Sequence, residues 1–281
     1  MRSLLIALVV VAVAVFVPAM AQQPKPVSPD ATTVSEYCQT VASGTKQADA
    51  LKSACEFALT VQQKFPNYIC DLKVTRRDGS GFLLETTNLQ VRVENEKDSY
   101  SNVRRDVTSF GDSVETPPIW SSGEFGMLLT ALFVPENKAS FKFTKEERLK
   151  SGPALAFSFQ ISDKDNKSFY VWNLNGEKRT PGYSGSIWLD KASYRPVQVQ
   201  MSSTRVPSKV IQKMEAKTEY GEIPLADGTV FLLPLRAKVQ ALAFVKTGRK
   251  GLIEREDWIS NDLEFSNCHK FRATTKIVSP E

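Results

Sequence analysis

Residues 185–199 read GSIWLDKASYRPVQV, and this stretch has the pattern of two antiparallel strands joined by a short turn. Isoleucine and leucine flank Trp188 in a half-buried first strand, and Asp190 begins the turn. Pro196 starts the return strand, in which valines alternate with glutamines. A period of two places one side of each strand in a core and the other in solvent. The stretch therefore predicts an antiparallel hairpin with one buried face.

The same alternation extends over most of the chain. Residues 139–276 are nearly all of this type, with turn signals such as Asp163-Lys-Asp-Asn and Asp227-Gly228 between the segments. Together with earlier strands at 68–77 and 82–95 we count about ten or eleven strands. This predicts an α+β fold, in which a strongly curved, mostly antiparallel sheet, a half-open β-barrel, carries N-terminal helices and one inserted helical segment.

Two regions have helical patterns. Thr33-Val-Ser-Glu36 is a capping box that opens a first short helix, and Ser43-Gly44 is a stop signal. Thr45 then caps a second helix that runs to about Phe65. We expect this helical element (34–66) and a β-rich body (67–281) to form a single domain, 34–281.

The inserted helix has the most regular apolar stripe in the chain. A second capping box, Ser121-Ser-Gly-Glu124, precedes it, and Leu128 and Leu132 lie on its apolar face. Such a stripe must be covered by other residues. Two interpretations stay open: the helix packs against the sheet, or it lines or covers a cavity.

The first 21 residues have the pattern of a cleavable signal peptide. Arg2 precedes an unbroken apolar run, and Ala19-Met-Ala21 gives the small residues that signal peptidase requires, so cleavage is expected between Ala21 and Gln22. The alternative is a membrane anchor, but the run is shorter than the ~20 residues that span a bilayer. We expect an exported, soluble protein, periplasmic or secreted, whose mature chain does not span a membrane and begins with a disordered tether, 22–33.

The chain has four cysteines, an even number in an exported protein, which favours disulfide bonds. Three pairings are possible, and free thiols are the alternative to all of them. We favour Cys38–Cys55, which requires a helical hairpin at Gly44, and Cys70–Cys268, which would tie the first strand to the last. The chain contains no CxxC motif, so thioredoxin-like redox chemistry has no support.

The sequence offers little support for catalysis, cofactors or nucleic acid. The net charge of +5 is spread without long runs of one sign, whereas nucleic-acid binding needs a clustered basic face. No GxSxG, HExxH, P-loop or GxGxxG motif is present. His269 is the single histidine and follows Cys268 directly, so the two side chains would point to opposite faces of a strand. Asp163 begins a loop that lacks the glycine and distal glutamate of a calcium site. We therefore expect no cofactor, no metal and no enzyme.

Aromatic side chains on one-sided strands suggest a common interior. With the two leucines of the inserted helix they are the candidates to line a ligand cavity: Phe157, Phe159, Trp172, Trp188, Phe231, Phe244, Leu128 and Leu132. A curved sheet closed by helices either fills its concave face with core or leaves an apolar pocket. A filled core and a pocket for an acyl chain or lipid both stay open.

The hairpin at residues 185–199, with Phe231-Leu-Leu-Pro234 one or two strands later, resembles periplasmic lipoprotein-carrier proteins (LolA-like) and the related sigma-factor regulators (RseB-like). Ser122 to Phe133 is also similar to an element of uncharacterised exported bacterial proteins. The resemblance implies a concave sheet plugged by helices that is able to hold lipid or lipidated cargo.

Three functions follow as hypotheses. The first is a non-enzymatic binding protein for a lipid, acyl chain or lipoprotein. The second is an envelope protein–protein interaction module with a filled core. The third is a hydrolase of unknown type, which would need carboxylates that converge on one cleft.

Overall fold

The structure is a computed structural model that describes residues 31–61, 67–94, 97–107, 127–167, 169, 172–174, 177–208, 210–224, 230–247 and 253–270. The expected signal peptide, its cleavage site at Ala21 and Gln22, and the capping box at 121–124 lie outside these residues. Within them, no helix is both apolar and long enough to cross a bilayer.

Twelve strands are present in the described residues, and ten of them form one open antiparallel sheet. Their bounds are β1 Tyr68–Arg77, β2 Leu83–Glu94, β3 Lys97–Val107, β4 Ser140–Leu149, β5 Gly152–Ile161, β6 Trp172–Leu174, β7 Glu177–Arg179, β8 Tyr183–Asp190, β9 Pro196–Ser203, β10 Ile211–Pro224, β11 Val230–Thr247 and β12 Ile253–Lys270. The order in the large sheet is β3-β2-β1-β12-β11-β10-β9-β8-β5-β4, and β6 pairs with β7 separately. This architecture, mostly β with a few helices, is consistent with a half-open barrel.

The predicted hairpin is confirmed as β8 and β9. Ile187 lies opposite Val199, and Trp188 lies opposite Gln198. The turn is held by Asp190, whose Oδ1 accepts hydrogen bonds from the backbone N–H groups of Ala192 (3.0 Å) and Ser193 (2.8 Å). The sequence signal for a turn at Asp190 therefore reflects a carboxylate that satisfies backbone donors.

The sheet has two faces of different chemistry. We call inner the face that carries Phe157 and Val199, which contacts the helices, and outer the opposite face. On the inner face, Phe141 of β4 lies opposite Phe159 of β5 and stacks on Phe133 of the third helix, with ring centroids 5.0 Å apart. The inner face of the sheet and the buried residues of the helices belong to one hydrophobic core.

The N-terminal helices form a hairpin, α1 (Ala31–Ala42) and α2 (Ala48–Glu56), and a π-helical turn follows at Phe57–Val61. Three details differ from the sequence prediction. Residues 31–33, expected at the end of the disordered tether, are the first residues of α1. Thr33 lies inside α1 rather than capping it. Thr45 does not cap α2, whose N-cap is Gln47 in the left-handed region (φ 59°). Instead, the Thr45 Oγ1 accepts a hydrogen bond of 2.9 Å from the Phe143 N–H of the edge strand β4.

The inserted helix α3 spans Met127–Phe133 and buries Leu128, Leu129 and Leu132 almost completely. A 3-10 turn, Pro135–Asn137, follows it. The side chain of Asn137 is fully buried; its Nδ2 donates to the Ala131 carbonyl (2.6 Å) and its Oδ1 accepts from the Lys167 N–H (2.8 Å). This amide thus fixes the end of α3 to the loop after β5.

Both predicted disulfides are confirmed. Cys38–Cys55 joins α1 to α2 with a Cα–Cα distance of 5.6 Å, and Cys70–Cys268 joins β1 to β12 with a distance of 4.1 Å. No described cysteine is free. The second bridge ties the two strands at the middle of one half of the sheet, although they are 198 positions apart in sequence.

Candidate functional site

Four of the residues predicted to line a cavity lie together on the inner side of the sheet. Phe157 and Phe159 on β5 and Leu128 and Leu132 on α3 are at most 4 % exposed. Aromatic side chains pack around them in what we call the aromatic ladder: Phe133, Phe141, Phe159, Phe169 and Tyr183 in successive ring contacts, and the separate pair Phe143–Phe157. The ring-centroid distances are 5.5 Å for Phe143–Phe157, 5.9 Å for Phe159–Phe169 and 5.2 Å for Phe169–Tyr183. Edge-to-face contacts at these distances are those of a packed core, so this end of the interior is filled by the aromatic ladder.

A glycine allows the ladder to lie flat on the sheet. Gly185 of β8 lies opposite Phe159. A Cβ placed on Gly185 would be 2.8 Å from the Cε1 and Cζ of Phe159 and 2.1 Å from the carbonyl oxygen of Gln200. No side chain fits there, because the ring occupies the space that the side chain would need. The absence of a side chain at this position is what lets Phe159 pack against the strand.

Trp188 and Phe244 are not part of the interior, and the prediction is wrong for these two residues. Trp188 lies opposite Ala156 and Gln198, and Phe244 lies opposite Glu256, all on the outer face. The physical reason is strand alternation: Ile187 and Leu189 point inward, so the residue between them cannot.

Of the two remaining candidates, Phe231 is half-buried and packs against the core. Trp172 lies on β6, and its side chain is outside the description.

The centre of the inner face is built from small side chains, which the sequence argument did not consider. Ala216 of β10 lies beside Val239 of β11, and the next inward positions on β11 are Ala237, Ala241 and Ala243. All are buried. Ala241 and Ala243 form a second apolar cluster with Ile259, separate from the main core and bordered by Leu84 and Ile211.

A cluster of polar and charged side chains interrupts the apolar inner face on β1, β2, β3 and β12. We call it the arginine cluster, and it consists of Arg76, Glu85, Thr87, Arg105 and Asn261. The Arg76 Nε donates to Asn261 Oδ1 (3.1 Å), and Thr87 Oγ1 donates to Glu85 Oε1 (2.5 Å). Arg105 Nε lies 3.9 Å from the same carboxylate oxygen.

The electrostatics of the arginine cluster are those of a partly desolvated cation. Burial is the main cause that lowers the pKa of Arg76; the carboxylate of Glu85 opposes this effect and the charge of Arg105 adds to it. Two guanidinium groups share one carboxylate, so the cluster carries more positive than negative charge. Arg105 keeps 62 % of its side-chain surface exposed, whereas Glu85 keeps 22 %. The cluster therefore lies where the inner face meets solvent.

The sequence contains a signal for this cluster. Val74, Arg76 and Leu72 share one parity on β1, so the alternation that identifies the buried face also assigns Arg76 to it. Arg77 points the other way and lies near Asp262, 3.9 Å from Nε to Oδ2. Arg76 itself is half-buried, and a partly buried arginine on an apolar face requires polar or charged partners, which the cluster supplies.

Several side chains of types that could act in catalysis are engaged in other contacts. Cys268 is in a disulfide, which excludes a Cys-His nucleophile with His269. Glu256 receives hydrogen bonds from Arg205, and Asp257 pairs with Arg255 at 3.0 Å. No group of three or more potential metal ligands occurs in the described part of the chain.

Asp163, at the start of the predicted turn, accepts hydrogen bonds from the Gly182 N–H (2.8 Å) and the Thr204 hydroxyl (3.1 Å). Its carboxylate thus joins the loop after β5 to the starts of β8 and of the segment after β9.

Comparisons with known proteins give one distant structural likeness. No protein-family model matches the chain, and no curated protein is detectably similar to it. The crystal structure of a DUF1329 family protein from Desulfovibrio piger ATCC 29098 aligns with 86 % of this chain and 95 % of its own, at 8 % sequence identity and a TM-score of 0.36. The resemblance to lipoprotein carriers remains a prediction made from the hairpin at residues 185–199.

Proposed function

We propose that this chain is an exported, non-catalytic binding protein for an amphiphile: a lipid, an acyl chain or the lipidated end of a protein. The arginine cluster is the observation that carries the proposal. It places a cationic group at the solvent-facing margin of an apolar face, and an amphiphile with an anionic head group and a hydrocarbon tail has the matching chemistry. The two disulfides support export, because such bonds persist in oxidising compartments.

The head group would lie on Arg76 and Arg105. Guanidinium groups bind carboxylates and phosphates through paired N–H donors, and these bonds strengthen where water is partly excluded. Arg76 is in such a position: its side chain is half-buried, and this burial lowers its pKa. Glu85 and Asn261 orient the cluster through their contacts with the arginines and with Thr87.

The hydrocarbon tail would lie on the small apolar residues next to the cluster. Ile259 precedes Asn261 by one inward position on β12, about 7 Å along the strand, and Ala241 lies opposite Ile259. Ala241 and Ala243 are fully buried, with Leu84 and Ile211 packed against them, so a tail would bind here by displacing these two half-buried side chains. The space under α3 is already filled by the aromatic ladder, so it is not the tail site in this proposal.

The test compares two neighbouring arginines on opposite faces. The full chain would be expressed with its export segment, purified from the periplasm, delipidated and titrated with a fluorescent long-chain fatty acid. Arg76→Gln should weaken binding by about ten- to one-hundred-fold, the loss of a charge-assisted contact of about 1.5–3 kcal/mol. Arg77→Gln, on the outer face, should bind like the wild type, and so should Trp188→Ala.

Two results would refute the proposal. One is wild-type protein that takes up no fatty acid and carries none when extracted and examined by mass spectrometry. The other is an equal loss of affinity in Arg76→Gln and Arg77→Gln, which would indicate a nonspecific effect of charge. Thermal unfolding of each variant shows whether a loss of binding is a loss of folding.

The aromatic ladder favours a second candidate, an envelope protein–protein interaction module that uses a filled sheet as a scaffold. Such a module needs no interior ligand, so Arg76→Gln would leave its function intact. Wild-type protein that binds no fatty acid but retains a defined envelope protein through cross-linking would favour this alternative.

A further inference from the structure

The outer face carries a concave site that the proposed function does not use. It is a trough of about 390 Å³ across β8, β9, β10 and β11. We call it the polar trough. Its lining consists of hydroxyl, amide and charged side chains above the backbone of three further residues: Ser184, Ser186, Gln200, Ser202, Glu215, Lys217, Lys238 and Gln240, with Gly185, Met201 and Ala216.

The strand register produces the trough. Ser184, Ser202, Glu215 and Gln240 lie side by side in one row across the four strands, and Ser186, Gln200, Lys217 and Lys238 form the next row. The three serines are short and lie on β8 and β9, whereas the side chains on β10 and β11 are long. The surface is therefore low on the side of β8 and β9 and rises toward β10 and β11.

Several lining groups keep hydrogen-bonding capacity for a ligand. Among the described contacts, no side-chain hydrogen bond engages Ser184, Ser186, Gln200 or Gln240. A serine hydroxyl both donates and accepts, and a glutamine amide offers two donors and an acceptor with two lone pairs. Neutral groups of this kind, arranged in two parallel rows, match a ligand that presents many hydroxyls.

The charged groups of the trough are balanced by neighbours. Lys217 Nζ lies 2.8 Å from Glu219, Lys238 Nζ lies 4.0 Å from Asp262, and Glu215 accepts from Lys213 at 2.9 Å. A polyanion needs unopposed cations, and this surface does not provide them. The ligand that fits is uncharged and polar.

Trp188 provides an aromatic surface next to the trough, although it is not one of the residues that line it. It follows Ser186 by one outward position on β8, about 7 Å away along the strand. Its Nε1 donates to Glu147 Oε1 of β4 (2.6 Å), two strands away, so the indole lies across β5. Ala154 and Ala156 on the outer side of β5 are 1 % exposed. The indole thus lies flat on the sheet, with its other face toward solvent.

We propose that the polar trough and Trp188 bind an uncharged oligosaccharide. A sugar ring presents hydroxyls at its edge and C–H groups on its faces, which suit the amide and hydroxyl rows and the exposed indole face respectively. The volume of the trough lies within the range of small-ligand sites, about 300–1,000 Å³. The site is independent of the inner face and would exist whether or not an amphiphile binds there.

The experiment titrates the periplasmically expressed full chain with two neutral linear tetrasaccharides, one of glucose and one of N-acetylglucosamine, and with a sulfated tetrasaccharide. Indole fluorescence and calorimetry report binding. Ser186→Arg fills the trough and should abolish binding of the neutral sugar. Gln200→Ala removes one or two hydrogen bonds and should weaken it about three- to tenfold without affecting folding, because Gln200 is exposed. Ser101→Arg, at an exposed position of edge strand β3, is the control and should bind normally.

Three outcomes would overturn the proposal. They are no binding of either neutral tetrasaccharide at about 10 mM, undiminished binding by Ser186→Arg, and tighter, salt-sensitive binding of the sulfated sugar. Arg76 lies on the opposite face from the trough. Arg76→Gln therefore tests fatty-acid binding alone, and Ser186→Arg tests sugar binding alone, so the failure of one proposed site can be told from the failure of the other.

Discussion

Replacement of Gly185 by alanine tests whether the interior under α3 is filled. The added methyl group would be 2.1 Å from the Gln200 carbonyl oxygen and 2.8 Å from two ring carbons of Phe159. A carbonyl in the middle of a strand pair cannot rotate away, and the ring of Phe159 is held between Phe141 and Phe169. Strand β8 must therefore shift relative to β9, or the aromatic ladder must move.

The size of the effect follows from two opposing terms. Overpacking of a filled core costs about 1–3 kcal/mol, and a backbone contact this short belongs at the upper end. Alanine reduces the entropy of the unfolded chain relative to glycine, which returns about 0.4–1 kcal/mol. The expected net loss is about 2 kcal/mol of unfolding free energy, or about 4–8 °C in the unfolding temperature for a domain of this size.

Gly221→Ala is the matched control. Gly221 is also inside a strand, but a methyl group there would meet the Cδ1 of Leu235 at 2.6 Å, the flexible end of a side chain that is 37 % exposed. That leucine can change rotamer, so the unfolding free energy should stay within about 0.5 kcal/mol of the wild type. Urea denaturation of the two variants, followed by fluorescence and circular dichroism, measures both values.

The reasoning fails if Gly185→Ala is as stable as Gly221→Ala. That result would mean that Phe159 has room to retreat, and the interior under α3 would then be hollow, as a carrier with a deep pocket requires. A double variant separates the two contacts. Phe159→Leu should restore part of the loss in the Gly185→Ala background if the ring is responsible, and none of it if the Gln200 carbonyl dominates.

Three further predictions concern covalent structure and pH. Removing the Cys70–Cys268 bridge by paired alanine substitution should cost about 5 kcal/mol, against about 3 kcal/mol for the bridge inside the helical hairpin, because the loops span 198 and 17 positions; equal losses in urea denaturation would contradict the loop-length argument. Asp190→Ala should cost about 1 kcal/mol at pH 7. Hydrogen bonds from Ser193 and Ala192 lower the pKa of Asp190, so this difference should begin to shrink as the pH falls below about 4 and should disappear only below the lowered pKa of the folded state; a pH-independent difference would show that the charge is irrelevant. Intact-mass analysis of secreted protein should give Gln22 as the first residue, and retention of Met1 would exclude cleavage.

The strands were predictable because alternation is a local property. The hairpin at 185–199 and the long strand after residue 82 were found from the period of two alone. The assignment of aromatic residues to the interior failed where it relied on the size of the side chain instead of on its position in the inward–outward alternation of the strand. Trp188 lies between two inward residues, and on β11 the structure buries Ala241 and Ala243 while Phe244 points outward. Hydrophobicity alone would predict that the phenylalanine is the buried residue, but the crowded centre of the inner face has room only for the small alanine side chains.

The disulfides were predictable for a different reason. Cys38 and Cys55 would lie far apart on one continuous helix, so a pairing required a turn, and Gly44 provides one with φ at 74°. The role of Thr45 was not predictable. A threonine after a helix stop has the pattern of an N-cap, and its actual hydrogen bond to Phe143 crosses 98 positions. Local patterns cannot show such a contact, because it depends on where the edge strand lies.

The two proposed sites follow from one property of the sheet. Each strand presents alternate residues to two environments, so a single layer carries an apolar face with one cationic cluster and a polar face with one trough. Residues 184–188 on β8 show the division within five positions: Gly185 and Ile187 face the aromatic core, whereas Ser184, Ser186 and Trp188 face the trough or its margin. An insertion or deletion of one residue in β8 would exchange these two sets. The register of β8 against β5 and β9 is therefore the feature on which the core and the proposed sugar site both depend, and it is fixed where Phe159 packs over Gly185.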